Sequence, residues 1–454
     1  MDYLNVPASE SEFTGRYLVL LEQEKMDHGI AALKELTSLS SVASFDDVAQ
    51  DSNQFDNADL IILERLGVAI TNHPIDPEQI QSLTLATSDD SVPILAVEPE
   101  RCFYALADVG MRQLQPTLPH EISVEYLRGY RDAVTNLVDN LLPEEFGSDA
   151  IVDIATLQTV QPTWGLQVTK VPQSKFSGKG IKVAVLDTGF DLAHPDFQGR
   201  KIVSKTFVKR RVSGVSQLLP VQDLDGHGTH CIGTACGPLN PTTGGRYGIA
   251  YDAEIYVAKV LDDRTRIFQG LPGEILMGIN WAINEGCQVI SMSLGAPRKP
   301  GKKQTFYDAV SDRALKAGSL IVGAAGNSNS RAKPSPHGNT AVNSPADATY
   351  IMAVASVDTQ LKVADSSSHG DSTSGGEVNI AAPGVGILSA SPFGRRYTTM
   401  SGTSMAAPHV AGIAALYAEA TGARGQALWN LLIRNALPLP YPHTDVGAGL
   451  VQAP

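Results

Sequence analysis

No apolar run in this 454-residue chain approaches the length needed to cross a bilayer. Its first residues, MDYLNVPASESEF, hold no basic stretch ahead of an apolar one. A membrane partner is therefore not expected, nor is export, and the chain reads as cytoplasmic. Cysteine is scarce: Cys102, Cys231, Cys236 and Cys287 sit at irregular spacings. That excludes a disulfide framework for a chain of this size and predicts reduced, structural thiols. Internal repeats and low-complexity segments are absent too, which argues against solenoid or fibrous architectures. The first third of the chain is poor in positive charge. Residues 1–157 hold 8 Lys+Arg against 28 Asp+Glu, a balance of −20, whereas the remainder holds 27 against 20, a balance of +7. Opposite fields favour docking of one part on the other, with a merely solvated acidic surface as the alternative. Nothing in a net charge of −13 invites a nucleic-acid partner.

What is present has the composition of a globular α/β protein, 43% hydrophobic and 18% charged. The first hundred residues read β-α-β-β-α-β: RYLVLLEQ, MDHGIAALKEL, two strands in DLIILERLGVAIT, DPEQIQSLTL, and VPILAVEPER. That order is the ferredoxin-like unit. Ile122, Tyr126, Tyr130, Val134, Leu137 and Leu141 then recur at helical steps until Pro143 stops them, which predicts an amphipathic linker helix. From GKGIKVAVLDTG onward, near-continuous apolar runs rich in β-branched residues (IKVAVLDTG, EIYVAKVL, CQVISMSLG, GSLIVGAAGN, YIMAVASV) alternate with helical segments. Such runs suit parallel strands buried on both faces, in a doubly wound α/β sheet whose functional residues belong at the carboxyl ends of the strands.

Those ends carry chemistry. Asp187 follows KVAVL, Asn327 follows LIVGAAG, and Ser404 lies where a glycine turn leads into a long apolar helix. A nucleophilic serine needs a base, and the base needs a carboxylate to fix its tautomer; Asp187, His227 and Ser404 supply one of each. Taken singly, each has a plainer structural role as a strand end, a left-handed turn or a helix cap. The stretch DLDGHGTHC, residues 223–231, also invites a metal reading. Its H-x-x-H spacing differs from the H-E-x-x-H of helical zinc sites, and no further ligand cluster accompanies it. No metal is expected for catalysis. His230 and Cys231 read as packing, while Asp223 and Asp225 are expected to line the approach to His227.

The segments VAVLDTGFDLAHPDF, DGHGTHCIGTACG, ISMSLG, VGAAGN and GTSMAAPHVAG, in that order, together resemble the subtilisin-like serine proteases. The resemblance implies a serine endopeptidase acting on peptide or protein substrates, with Asp187 orienting His227, His227 as base and acid, and Ser404 as nucleophile. It implies that Asn327 donates to the oxyanion, that Ser291 to Gly295 (with Leu294) and Ala324 to Gly326 wall the substrate pocket, and that Asn343 lies near its base. It requires no cofactor for the chemistry and leaves a structural calcium open, because Asp196 matches a ligand position in some relatives while PLNPTTGGRYG departs from the better-known binding loop. Residues 1–106 are similar to the family's inhibitory prodomain, an intramolecular partner, and an unrelated accessory domain is the alternative. The expected organisation is thus prodomain 1–106, linker 107–157 and catalytic domain 158–454, with self-processing between Tyr104 and Val160. Two rivals share the triad or the groove: a dedicated processing protease or peptide macrocyclase, and a non-catalytic peptide-binding protein.

Overall fold

The strand RYLVLLEQ is apolar on both faces, and its surroundings give the reason. The computed structural model describes residues 13–45, 58–106, 161–212, 215–242, 244–264, 269–297, 305–328, 341–370 and 376–454. An N-terminal module comprises β1 (Phe13–Leu21), α1 (Met26–Thr37), β2 (Val42–Ser44), β3 (Leu60–Leu63), β4 (Val68–Thr71), α2 (Pro77–Ala86) and β5 (Ile94–Arg101). The sheet order is β2-β3-β4-β1-β5, antiparallel except for the short pairing of β2 with β3. Apart from the added β2, this is the β-α-β-β-α-β unit read from the sequence. Side chains alternate across the sheet. Val19, Leu21, Leu60, Ile62 and Ala69 pack with Leu33 of α1 and Leu83 of α2. Leu18, Leu20, Ile61, Leu63, Val68 and Ile70 pack instead with Ile275, Leu276 and Ile279 from the larger part of the chain. With both faces covered, no polar alternation is left in the sequence. The module and residues 162–454 form one compact unit.

After the three-residue strand β6 (Phe103–Ala105), the larger part runs through β7 (Lys182–Asp187), β8 (Ile202–Thr206), the hairpin of β9 (Lys209–Val212) and β10 (Val215–Leu218), and α3 (His227–Cys236). It continues with β11 (Glu254–Lys259), β12 (Gln269–Gly270), α4 (Pro272–Asn284), β13 (Val289–Met292), β14 (Leu294–Gly295), α5 (Thr305–Lys316) and β15 (Leu320–Ala324). The last elements are β16 (Met352–Val357), β17 (Ile380–Pro383), β18 (Ile387–Ser391), β19 (Arg396–Met400), α6 (Thr403–Thr421), α7 (Gly425–Asn435) and the short α8 (His443–Val446). Seven strands form a wholly parallel sheet ordered β17-β16-β15-β13-β7-β11-β8. One face packs on α4 and α5, the other on α3 and α6. Helix α6 is apolar on all sides because it runs through the core, every residue from Thr403 to Ala418 being buried. The helix expected over 122–141 lies outside the described residues. Among the described residues no helix is long and apolar enough to cross a membrane.

Two buried histidines give the core a pH dependence. His230 of α3 pairs through Nε2 with the Ile387 carbonyl oxygen at 2.9 Å, and His409 of α6 through Nδ1 with Met405 O at 2.8 Å. Burial lowers the first to about 3 and the second to about 4, against an ordinary 6.5. Both therefore stay neutral in the fold while an unfolded chain takes up protons. Their contribution is complete above pH 6.5 and is lost as pH falls toward 4 and then 3, on the order of 1.4 kcal/mol per pH unit for each. Denaturant titration of the Ser404→Ala chain should show stability dropping steadily from pH 6.5 to 4; a flat profile would contradict this assignment.

Candidate active site

Asp187 is the last residue of β7, at the carboxyl edge of the parallel sheet, and His227 opens α3. The His227 Nδ1 and Asp187 Oδ1 atoms are 2.7 Å apart, and both side chains are almost wholly buried. Asp187 Oδ1 also accepts the Thr188 backbone N–H at 2.7 Å. Ser404 stands in the first turn of α6 and Asn327 just beyond β15.

Ser404 and Asn327 converge on one group, the carbonyl oxygen of Leu106. Asn327 Nδ2 donates to it at 2.7 Å, and the Ser404 hydroxyl donates to it as well. The amide of Asn327 is aimed by Thr403, whose backbone N–H and hydroxyl both donate to Asn327 Oδ1 at 2.9 Å. Leu106 reaches this point because β6 is the central strand of a three-stranded antiparallel sheet, between β12 and β14. Tyr104 pairs with Gln269 and Gly295, Phe103 with Gly270, and Ala105 with Leu294. The Leu106 backbone N–H donates to Ser293 O at 3.2 Å. Phe103 is buried edge-on against the Tyr307 ring of α5, with centroids 5.9 Å apart.

The expected pocket residues divide. A Cβ on Gly295 would stand 3.2 Å from Leu106 Cδ1 and 3.4 Å from Asn343 Cβ, so Gly295 leaves the space that the Leu106 side chain uses. Leu294 supplies a strand edge, Ala324 ends β15, and Gly326 donates its N–H to Thr403 Oγ1 at 3.1 Å. Asn343 is buried, its N–H held by Ala325 O at 2.8 Å. Ser291 does not belong with them. It lies inside β13, paired with Val185 and Val322 and fully buried, whereas Ser293, one residue beyond the strand end, meets the tail.

Asp223 also differs from expectation. It is fully buried instead of lining the approach, and its carboxylate accepts five hydrogen bonds: from Thr188 Oγ1 (3.0 Å), Asp225 N (3.0 Å), Gly226 N (2.8 Å), Thr229 N (2.8 Å) and Thr229 Oγ1 (2.7 Å). It thereby ties the residue after Asp187 to the turn that carries His227. Asp225 is half-buried and accepts the His227 N–H through Oδ2 at 3.2 Å. Asp223 is a positioning residue. Asp223→Asn keeps the shape but turns acceptors into donors, and is expected to lower kcat about 10–100-fold with KM nearly unchanged. Equal loss in both constants, or neither, would contradict the role.

Among the described residues, Asp187, His227 and Cys231 bring three metal-capable atoms within 4.8 Å of one another. The carboxylate is already bonded to the imidazole, and burial together with the Asp187 charge holds the Cys231 thiol well above its ordinary range, hence protonated. Cys231 donates to Ser404 O at 3.5 Å and forms part of the floor under the site. Asp196 does not fit a calcium ligand either. Its oxygens accept Thr242 N (2.8 Å), the Thr242 hydroxyl, Tyr247 OH (2.8 Å) and Tyr397 OH (2.9 Å), which uses up its acceptor capacity within the protein. All four cysteines are buried, and none is joined in a disulfide.

Residues 178–449 match the subtilase family. The chain is similar to the thermostable alkaline protease of Halalkalibacterium halodurans, 39% identical over 267 residues that cover 58% of this chain and 64% of that protein. It is 35% identical over 297 residues to the major intracellular serine protease of Bacillus subtilis, covering 63% and 86% of the two chains. With subtilisin E of Bacillus subtilis the identity is 38% over 256 residues, or 56% and 60%.

Proposed function

The chain belongs to the subtilase family of serine endopeptidases, and on that premise we propose that it is a zymogen whose residues 1–106 inhibit the protease and are cut from it after Leu106. The observation that carries the reading is the Leu106 carbonyl, addressed at once by the Ser404 hydroxyl and by Asn327 Nδ2. A strand from the chain itself lies where an extended substrate would add to β12 and β14.

In turnover a substrate carbonyl takes the place of the Leu106 carbonyl. Ser404 Oγ attacks its carbon and passes its proton to His227, whose positive form Asp187 stabilises. Negative charge then gathers on the carbonyl oxygen, where Asn327 Nδ2 is held by Thr403 to receive it. As the C–N bond breaks, His227 returns the proton to the leaving amine, and water hydrolyses the acyl-enzyme by the same steps. Leu106 beside Gly295, with Asn343 close by, suits a medium-sized residue before the cut bond. A cytoplasmic setting is supported by the buried cysteines, none joined in a disulfide, and by the likeness to a protein named as intracellular.

N-terminal sequencing of the mature wild-type protein tests the reading. Ala107 is expected as its first residue; a mature form that still carries Phe103–Leu106 would overturn the assignment of the cut bond.

A further inference from the structure

We propose that docking of the N-terminal module is coupled to uptake of one proton by Glu274, buried at the start of α4 beside Glu100 and Arg16, so that the module is gripped most firmly in acid solution and is progressively loosened as pH rises through neutrality. The proposal rests on the reading of residues 1–106 as an inhibitor and adds a means of regulating it.

Glu100 projects from β5 onto the start of α4 and is fully buried. Its Oε1 accepts the Gly273 backbone N–H at 2.8 Å and Arg16 Nη2 at 2.7 Å; its Oε2 accepts Arg16 Nε and Thr14 Oγ1, each at 2.6 Å. A Cβ on Gly273 would lie 2.9 Å from that Oε1, so the carboxylate can reach the helix end only over a glycine. The next residue, Glu274, is 8% exposed. Around it stand Arg16 from β1, Glu100 from β5, the backbone of Lys209 from β9, and the Leu271 N–H, 3.4 Å from its Oε2. The guanidinium near Glu274 is thus already engaged by Glu100 in a two-point pair. A second buried charge without its own partner is costly, and a proton removes the cost. Burial pushes Glu274 up to about 8 from an ordinary 4.5, with Arg16 opposing and Glu100 reinforcing the rise.

The sign follows from that rise. Lifting the module off α4 uncovers Glu274, which then releases its proton in neutral solution. Docking is strongest below about pH 4.5, weakens as pH rises toward 8, and levels off above it. The undocking equilibrium should change about tenfold per pH unit within that window.

The test uses the full chain carrying Ser404→Ala, which stays uncut. Hydrogen exchange of residues 103–106, which pair across to β12, β14 and Ser293, is followed at pH 6 and pH 8 and corrected for the intrinsic effect of pH on exchange. Opening is expected to increase about 50-fold between these values, and less than about 3-fold once Glu274→Gln supplies a permanently neutral side chain. Glu100→Gln should flatten the response as well, because Arg16 is then left to Glu274. Exchange of β7 in the same samples reports whether each variant has kept its fold. An equal pH response in all three chains would overturn the coupling and leave the inhibitor reading standing. Exchange at 103–106 that is unprotected at pH 6 in every chain would overturn the inhibitor reading itself.

Discussion

Ser404→Ala is expected to lower peptide hydrolysis by about 10⁶-fold, the loss known for the nucleophile of a subtilisin, and to leave every chain uncut after Leu106. The two outcomes have one cause. The hydroxyl that donates to the Leu106 carbonyl is the group that would attack it, and Ala supplies neither contact nor nucleophile. Packing should survive, since the Ser404 backbone oxygen, not its side chain, receives Ser293 Oγ at 2.8 Å and the Cys231 thiol. Intact mass of wild type and variant purified side by side checks the processing half, and turnover of a peptide substrate checks the other. Equal truncation of both chains would assign the cut to another protease.

Asp187→Asn should cost about 10⁴-fold in kcat, the range known for the equivalent change in a serine protease triad. The carboxylate accepts a hydrogen bond from His227 Nδ1–H at 2.7 Å while also accepting the Thr188 N–H. An asparagine oriented to keep the Thr188 bond presents the same oxygen to Nδ1 but loses the charge that stabilises imidazolium. Turned over, it donates to Nδ1 and moves the ring proton to Nε2, where Ser404 needs an acceptor. Rate should recover partly at high pH, as hydroxide replaces the lost base function. Loss below about 10-fold would mean that His227 is not held by Asp187.

Much of this was legible because buried parallel strands leave continuous apolar runs, and because the chemistry sits where those runs stop. The expected site residues Asp187, Asn327 and Ser404 lie where strands or glycine turns end. Other residues left weaker traces. Ser293 acts through its backbone carbonyl, which no residue type advertises, and its place one residue past β13 separates it from Ser291 inside the strand. Asp223 looked like a surface acid because its five donors come from turns and from Thr188, distant in sequence. The Asp-x-x-x-His spacing was its one local sign, an aspartate accepting N–H groups two and three residues on before a helix starts. Asp196 matched a ligand position as a letter, yet Tyr247 and Tyr397 reach it from distant loops and strands. The continuous apolarity of β1 was visible from the start. Its physical reason is a second covered face, the contact with α4 through which the module is held.

The central claim is that Ser404 is a nucleophile covered by the tail that ends in Leu106. A fluorophosphonate probe followed by peptide mass mapping tests it most directly, applied to the uncut chain and to the chain cut after Leu106 and freed of residues 1–106. Rapid, stoichiometric labelling of Ser404 in the freed chain and slow labelling in the uncut one is the predicted result. Failure to label Ser404 in the freed chain, or equal rates in both, would contradict it.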